Sequence, residues 1–215
     1  MRYTTIIWDL DGTLLDTLQD LFLAVNHALE TYHMPPRTLD EVRRFVGNGV
    51  RRLMIRAVPD GEDNALFEQV FAEFKAYYVA HCRDNTALYP GIAETLRCLK
   101  EQGVRMAIVS NKLQAGVDEL CDTYFRGLVD VAVGERMGIP RKPAPDMVEM
   151  ALSLLGADKD GAVYIGDSDV DIMTARNAHL PCISVLWGFR DEEFLREHGA
   201  TMMARQPRDV VRLCV

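Results

Sequence analysis

A short apolar segment that ends in acidic residues constrains the fold of this chain more than any other feature. The segment Thr4–Trp8 is rich in β-branched and aromatic residues, which predicts a short strand buried on both faces. Asp9 and Asp11 follow it, and Gly12 lets the chain turn there without steric cost. In parallel α/β sheets, ligands bind beyond the carboxyl ends of the strands. We therefore expect both carboxylates to point into a site, although an acidic surface turn gives the same short pattern.

Asp9 and Asp11 also indicate a metal ion. Side chains at positions i and i+2 of an extended segment lie on the same side, so the two carboxylates repel each other unless a cation lies between them. A hard divalent ion such as Mg²⁺, held by a few protein oxygens and completed by water and substrate phosphate, would remove that repulsion. The sequence therefore predicts Mg²⁺ as the cofactor.

The order of predicted elements indicates an α/β fold: a doubly wound, Rossmann-like parallel sheet core with an inserted all-helical domain. Residues 16–87 have apolar side chains at helical spacing and no strand signal, which predicts a helical insertion. From Tyr89 onward, helices alternate with short apolar strands. The expected domains are an α/β core of residues 1–15 and 88–215 and a helical domain of residues 16–87.

Capping residues set some of the expected element bounds. Thr38 with Glu41 is a capping-box pattern, and Thr17 with Asp20 is another possible helix start. After the first strand, core strands are predicted at 104–109, 128–133, 162–165 and 182–186. Helices are predicted at 50–58, 62–81, 92–102, 112–121, 143–155 and 169–178, and the tail from 192 is expected to add a helix and a short strand.

Three further segments place polar residues after predicted strands or before helices. Ser110 and Asn111 could hold phosphate oxygens, or could simply cap a helix. Lys142 precedes a helix whose first turn is set by prolines, and taken alone it is more typical of a solvated loop. The segment Gly166–Asp171 carries three acids in five residues, and such crowding is unfavourable without a cation.

Composition excludes several classes of partner. The formal net charge of −8 argues against a nucleic-acid partner, which demands a basic surface. No apolar run is long enough to span a membrane, and the N-terminus lacks a signal-peptide pattern, so we expect a cytoplasmic protein with no membrane partner. The five cysteines contain no C-x-x-C pair, which fits neither a disulfide framework nor a zinc site. The sequence does not indicate an oligomeric state.

Taken together, these segments resemble the four motifs of the haloacid dehalogenase superfamily. D-x-D-G-T at Asp9–Thr13, the strand-end Ser110, Lys142 before Pro-x-Pro, and G-D-S-x-x-D at Gly166–Asp171 occur in the family's order and cover nearly the whole chain. The helical insertion resembles the small cap domain of the family's phosphatase branch. Within that branch, the segment Phe45–Leu53 is most similar to phosphoglycolate phosphatases.

The resemblance implies a Mg²⁺-dependent phosphomonoester hydrolase whose partner is a small phosphorylated metabolite, with 2-phosphoglycolate as the expected substrate. Asp9 would be the nucleophile that forms an aspartyl-phosphate, and Asp11 would be the general acid and base. Lys142 and Ser110 would hold phosphoryl oxygens. The expected phosphate contacts of the core also include Gly12, Thr13 and Asn111.

The implied metal-binding set consists of Asp9, Asp11, Asp167 and Asp171. Asp9 and Asp167 would contribute carboxylates, and Asp11 would contribute its backbone carbonyl. Asp171 is expected to orient Lys142 or a metal-bound water rather than to bind the ion directly.

The helical domain contains a second candidate binding segment. Gly47, Asn48 and Gly49 precede a predicted helix, so unhindered N–H groups at its N-terminus, assisted by Arg51, could bind a second anionic group of the substrate. A plain turn between helices explains the same residues equally well.

Other functions remain open at this point. A phosphosugar mutase resembling β-phosphoglucomutase, a nucleotidase or a pyrophosphatase would use a similar core. A receiver-like phospho-acceptor module also carries an acidic pocket and a lysine, but it has no need of Asp11, because it protonates no leaving group.

Overall fold

The computed structural model describes residues 2–215 and divides the chain into two compact units. The first unit contains the segment up to Leu15 together with Leu88–Val215, and the second contains Asp16–Ala87. In chain order the strands are β1 (Thr5–Trp8), β2 (Leu15–Asp16), β3 (Ala87–Leu88), β4 (Arg105–Leu113), β5 (Val131–Glu135), β6 (Ala162–Gly166), β7 (Cys182–Val185) and β8 (Met202–Ala204).

The α-helices connect and cover these strands. They are α1 (Leu18–Thr31), α2 (Leu39–Phe45), α3 (Val50–Ala57), α4 (Phe67–His81), α5 (Ile92–Glu101), α6 (Gln114–Leu120), α7 (Asp146–Leu155), α8 (Asp169–Asn177), α9 (Glu192–Glu197) and α10 (Pro207–Cys214). Within residues 2–215, no helix combines the length and apolar character that crossing a bilayer requires.

Six strands of the first unit form one sheet in the order β5-β4-β1-β6-β7-β8, and neighbouring strands are parallel. Ile7 of β1 lies opposite Ala107 of β4 on one side and Tyr164 of β6 on the other. This topology confirms the predicted doubly wound α/β fold. The strand order reverses at β1, so the carboxyl end of β1 lies at the switch point where such sheets bind ligands.

Alternation along β1 sends its side chains into two apolar layers. Ile6 and Trp8 belong to a cluster that includes side chains of α5, α6 and α10. Ile7 belongs to a second cluster, with side chains of α7 and α8. All three side chains are fully buried, and burying such a side chain contributes roughly 1.5–3 kcal/mol. The central strand is therefore held from both faces, which positions the acidic residues that follow it.

The end of β4 differs from the prediction. The strand continues to Leu113, so Ser110 lies within it, and the next helix begins at Gln114 rather than at 112. The register of β4 against β5 shifts between Val109 and Leu113. A Cβ on Gly134 of β5 would lie 2.8 Å from the Lys112 carbonyl oxygen, so glycine is needed for this close approach.

The start of β5 also differs from the prediction. β5 begins at Val131 rather than at 128, because the N–H groups of Leu128 and Val129 turn back to the carbonyl of Phe125. The helix and the short strand predicted in the C-terminal region are present as α9 and β8, and a second helix, α10, follows β8.

The second unit is built from α1 to α4. Its buried core is formed mainly by apolar side chains of α1 and α4: Leu21, Ala24, Val25, Ala28, Leu29, Phe67, Val70, Phe71, Phe74 and Tyr78. The capping box of Thr38 and Glu41 is confirmed, with reciprocal bonds of 3.2 and 2.8 Å. α4 begins at Phe67 rather than at 62, because Gly61–Asp63 forms a separate 3₁₀ turn.

The start of α1 corrects a further expectation. Thr17 makes no side-chain capping bond, and the Asp16 carboxylate instead accepts from the N–H of Leu18 at 3.2 Å. Asp20 is buried and its carboxylate binds residues at the other end of the second unit. It accepts from the backbone N–H and side chain of Asn85 and of Thr86 at 2.8–3.2 Å. The short strands β2 and β3, at the two ends of the helical segment, pair with each other.

Candidate active site

A buried lysine connects two carboxylates at the carboxyl edge of the sheet. Lys142 Nζ donates to Asp9 Oδ1 at 2.6 Å and to Asp171 Oδ1 at 2.9 Å, and the three side chains are at most 9% exposed. The backbone of Lys142 is bonded in both directions to the side-chain amide of Asn111, at 2.9 and 3.1 Å. Asn111, expected to bind phosphate, therefore holds the Lys142 loop in this structure.

Asp171 is fixed by bonds to both of its oxygens. It lies in the first turn of α8, where Oδ2 accepts from the Ser168 N–H at 3.1 Å and from the Ser168 hydroxyl at 2.6 Å. Oδ1 accepts from Lys142 and from the Tyr164 hydroxyl, the latter at 3.0 Å. A Cβ on Gly166 would lie 2.3 Å from Asp171 Cγ, so only glycine leaves room for this carboxylate. Asp171 thus contacts Lys142 directly, and its predicted role in orienting that lysine stays a prediction.

Asp167 lies against the turn that follows β1. Its Oδ2 accepts from the Phe189 N–H at 2.7 Å, and its Oδ1 accepts from the Thr13 hydroxyl at 3.3 Å. Gly12 has φ +87°, and a Cβ there would lie 2.6 Å from Asp167 Oδ2. A Cβ on Gly188 would lie 2.3 Å from the Asp167 Cβ. Both glycines are therefore required for the close approach of these segments to Asp167.

Asp11 has different surroundings from Asp9. Its carboxylate accepts from the Ser110 hydroxyl at 3.5 Å and from Lys112 Nζ at 3.4 Å, and its side chain is 23% exposed. The Ser110 hydroxyl also accepts from the Lys112 N–H at 3.1 Å. The Asp9 carboxylate is therefore buried, whereas that of Asp11, two residues further along the chain, is partly accessible.

Burial controls the electrostatics of the site. Desolvation, reinforced by Asp171, raises the pKa of Asp9 well above its ordinary value, although Lys142 opposes that shift. Desolvation and Asp171 likewise raise the pKa of Asp167 to about 7. Desolvation alone would lower the pKa of Lys142, but Asp171 and Asp9 outweigh it and raise that pKa. Three buried carboxylates around one ammonium therefore leave an excess of negative charge.

The donor set fits a hard divalent cation. Among residues 2–215, Asp9, Asp167 and Asp171 form the group of acidic, histidine or cysteine side chains that could hold a metal ion, with one oxygen from each lying within 4.8 Å of the others. Buried carboxylate oxygens suit Mg²⁺. Both Asp171 oxygens accept short bonds, one of them from the Lys142 ammonium, whereas Asp167 Oδ1 accepts a single long bond of 3.3 Å from the Thr13 hydroxyl. Asp9 and Asp167 are therefore the stronger candidates for direct ligands. The Asp11 carboxylate lies with Ser110 and Lys112, outside this group.

The predicted anion-binding segment of the second unit has an unusual backbone. Gly47, Asn48 and Gly49 all have positive φ, at 125°, 62° and 84°, directly before α3. Arg51 donates to Glu62 at 3.0 Å and to Glu68 at 2.5 Å. Its charge is thus already paired with two carboxylates, which weakens the expectation that it assists an anion.

Comparison with known proteins identifies the family. The profile of the haloacid dehalogenase-like hydrolases matches residues 6–185, which includes every core site residue named above except Gly188 and Phe189. The chain belongs to the haloacid dehalogenase-like hydrolases. A phosphoglycolate phosphatase from Caulobacter vibrioides is 34% identical over 98% of this chain and 90% of the relative. One from Pseudomonas putida is 33% identical over 96% of this chain and 75% of the relative.

A solved structure supports the same assignment. A protein from Lactobacillus delbrueckii subsp. bulgaricus, provisionally described as a phosphoglycolate phosphatase, has a TM-score of 0.96 and is 37% identical. The alignment covers 100% of this haloacid dehalogenase-like chain and 99% of the other. The likeness therefore extends over both compact units.

Sequence reasoning missed two side chains of this hydrolase site. Tyr164 lies on β6 and contacts Lys142 and Asp171 through its hydroxyl. The only local signal is a phenol within an otherwise apolar strand. Lys112, which the sequence predicts to begin a helix, contacts Asp11. β4 extends past Lys112, and alternation along the strand brings residues 110 and 112 to the same side.

Proposed function

We propose that this chain is a Mg²⁺-dependent phosphomonoester hydrolase that forms an aspartyl-phosphate on Asp9 and acts on 2-phosphoglycolate. Phosphatase chemistry in general follows from the family and from the curated relatives. The metal, the intermediate and the substrate are the proposal. The observation that carries it is the buried Asp9 carboxylate, held by Lys142 beside Asp167, with the more accessible Asp11 two residues away.

The protein groups account for both half-reactions. Asp9 attacks phosphorus, and the bond between phosphorus and the ester oxygen breaks. The Asp11 carboxyl gives a proton to the departing alkoxide, so the alcohol leaves and a carboxylate remains. That carboxylate then takes a proton from water, which attacks the same phosphorus. Inorganic phosphate is released, and Asp9 is regenerated.

Other residues hold the transferred group and the metal. Lys142 and Ser110 bind phosphoryl oxygens. Asp9 and Asp167, with the backbone carbonyl of Asp11, hold Mg²⁺. When bound, the ion neutralises charge that would otherwise repel a carboxylate from a phosphate dianion.

Two observations support 2-phosphoglycolate as the substrate. The relatives at 33–34% identity are phosphoglycolate phosphatases. In the second unit, Gly47 and Gly49 have no side chain of their own to shield the backbone N–H groups directly before α3, and such groups bind carboxylates. Membership in a hydrolase family argues against the receiver-like alternative.

The test is phosphate release by the purified protein. 2-Phosphoglycolate, glucose 1-phosphate, a nucleoside monophosphate and pyrophosphate are each supplied with Mg²⁺ or with chelator. We expect the highest kcat/KM for 2-phosphoglycolate and loss of turnover with chelator. Conversion of glucose 1-phosphate to glucose 6-phosphate without phosphate release would establish a mutase instead. Full activity with chelator would exclude the metal role.

A further inference from the structure

The ammonium group of Lys142 has no spare hydrogen. It carries three N–H bonds, and the structure supplies three acceptors: Asp9 Oδ1 at 2.6 Å, Asp171 Oδ1 at 2.9 Å and the Tyr164 hydroxyl at 3.0 Å. The Lys142 side chain is 4% exposed and Tyr164 is fully buried. Any group that binds Lys142 must therefore replace or share one of these acceptors.

The reaction determines which contact changes. In the proposed function, Lys142 binds a phosphoryl oxygen while Asp9 turns its lone pairs to phosphorus. The N–H that now points to Asp9 is therefore the one that the phosphoryl group must share. The bonds to Asp171 and Tyr164 remain and hold the ammonium during the reaction. One such bond would let the ammonium swing, whereas two bonds set the direction of the third N–H.

Tyr164 is placed rigidly enough to act in this way. It lies in β6 between Ile7 of β1 and Cys182 of β7, near the middle of the sheet. Its hydroxyl donates to Asp171 Oδ1 at 3.0 Å, which leaves an oxygen lone pair to accept from Lys142. Its ring also lies 5.7 Å from Lys142 Nζ. Unlike a third carboxylate, the phenol adds an acceptor without adding negative charge.

We propose that Tyr164 is a positioning residue for Lys142, which it holds in the direction needed to bind the phosphoryl group in the transition state. The inference deepens the proposed function and rests on it. It predicts that the Tyr164 hydroxyl matters to phosphoryl transfer with every substrate, because the phosphoryl group is common to all of them.

Tyr164→Phe tests this role by deleting a single oxygen. Loss of this hydrogen bond to the charged Lys142 should lower kcat/KM about tenfold. The factor should be the same for 2-phosphoglycolate and for para-nitrophenyl phosphate. We expect the change mainly in kcat. Binding of orthovanadate, which mimics the trigonal-bipyramidal transition state, should weaken more than binding of inorganic phosphate, measured calorimetrically with Mg²⁺. A purely structural defect would weaken both anions equally.

Tyr3→Phe is the matched control. Tyr3 is a buried tyrosine of the same unit, 7% exposed, and it packs in the apolar cluster at the amino end of β1, away from Lys142. We expect this variant to keep wild-type kinetics and the wild-type ratio of vanadate to phosphate affinity. Thermal melting of both variants checks that each remains folded.

A double-mutant cycle shows whether Tyr164 acts through Lys142. Tyr164→Phe is compared in the wild-type and Lys142→Met backgrounds, and its effect on vanadate binding should largely disappear in the second. The inference would be overturned if Tyr164→Phe left the ratio of vanadate affinity to phosphate affinity unchanged. It would also be overturned if Tyr164→Phe weakened vanadate binding equally in both backgrounds. Failure of the wild-type protein to hydrolyse any ester would refute the proposed function. The binding measurements would still test separately whether Tyr164 positions Lys142.

Discussion

At the scale of single residues, Asp9 and Asp11 are chemically alike but differ in their surroundings. The Asp9 side chain is 9% exposed and bonded to Lys142, whereas that of Asp11 is 23% exposed and contacts Ser110 and Lys112. A fixed, buried carboxylate suits attack on phosphorus, and a more accessible one suits proton exchange with an alcohol and with water.

Asparagine substitutions separate these two roles. Asp9→Asn should abolish turnover, because an amide of the same shape is a poor nucleophile, while the fold is retained. Asp11→Asn should slow both half-reactions by about 10²- to 10⁴-fold, because each loses its proton transfer. Rapid-quench kinetics with 2-phosphoglycolate measure both steps. Asp160→Asn, at the 3₁₀ turn Lys159–Gly161, is the control and should be unaffected. Residual steady-state turnover in folded Asp9→Asn would exclude the covalent route.

Asp167 should make the metal-free protein less stable as pH rises. Burial, and next Asp171, raise the pKa of Asp167 to about 7 from an ordinary value of 3.8. The folded state therefore keeps a proton over a pH range in which the unfolded state has lost it. Folding stability falls as pH rises through that range and stays low above the folded-state pKa. Asp9, whose pKa is also raised, acts in the same direction.

Asp167→Asn should remove part of that dependence. With chelator present, we expect the wild-type protein to melt at a lower temperature at about pH 8 than at about pH 5, and the variant to show a smaller difference. Mg²⁺ at the higher pH should raise the melting temperature of the wild-type protein more than that of the variant, because binding to the folded state stabilises it. Identical Mg²⁺ responses in the two proteins would show that Asp167 is not a ligand.

At the scale of secondary-structure elements, one buried carboxylate joins the first helix of the second unit to its last residues. Asp20 on α1 is 2% exposed and has no cationic partner among its described bonds. It accepts instead from backbone and side-chain donors of Asn85 and Thr86, which precede β3. Charge-assisted bonds of this kind stabilise more than neutral ones.

Asp20→Ala should destabilise the second unit by roughly 1–3 kcal/mol, because it removes the carboxylate that accepts hydrogen bonds from Asn85 and from the buried Thr86. Denaturant unfolding gives the free energy, and hydrogen exchange locates the effect at the amides of those two residues. Asp40→Ala on α2 is the control, since its side chain is 68% exposed and its ion pair with Arg44 is a surface contact. Unchanged protection of the Asn85 and Thr86 amides would contradict this role of Asp20.

At the scale of the whole molecule, the proposed chemistry lies in the first unit, and we propose that selectivity lies in the second. The core residues that act on the phosphoryl group are held by the parallel sheet. The Gly47–Gly49 segment belongs to the second unit. Substitutions there should therefore affect substrates according to the group attached to the phosphate, rather than the transfer itself.

Gly49→Ala tests that division. Gly49 has φ 84° and ψ 167°, a conformation that strains any residue with a Cβ, so the substitution should disturb the N–H groups before α3. We expect a higher KM for 2-phosphoglycolate and unchanged kinetics with para-nitrophenyl phosphate, which has no second anionic group. Gly103→Ala is the control, because Gly103 has φ +79° and open space for a Cβ. An equal loss with both substrates would mean that the segment is only a structural turn.

What the sequence determined by itself was local. Two features specified the parallel α/β fold: the β-branched run before Asp9, and the alternation of helices and strands later in the chain. Both can be recognised from residues that are close together in the sequence. The four motifs indicated which side chains belong together. They did not indicate the contacts among them, such as the Tyr164 hydroxyl on a lysine 22 residues away in sequence.

Only the tertiary structure decided contacts between distant segments. Asp20, which local spacing assigned to a helix cap, binds Asn85 and Thr86, 65 and 66 residues away. Lys112 contacts Asp11 because β4 continues beyond its apolar part, beside Gly134 of β5. The physical reason is that a buried polar group takes whichever partner the packing of the sheet and helices brings within hydrogen-bond distance, and sequence spacing does not encode that choice.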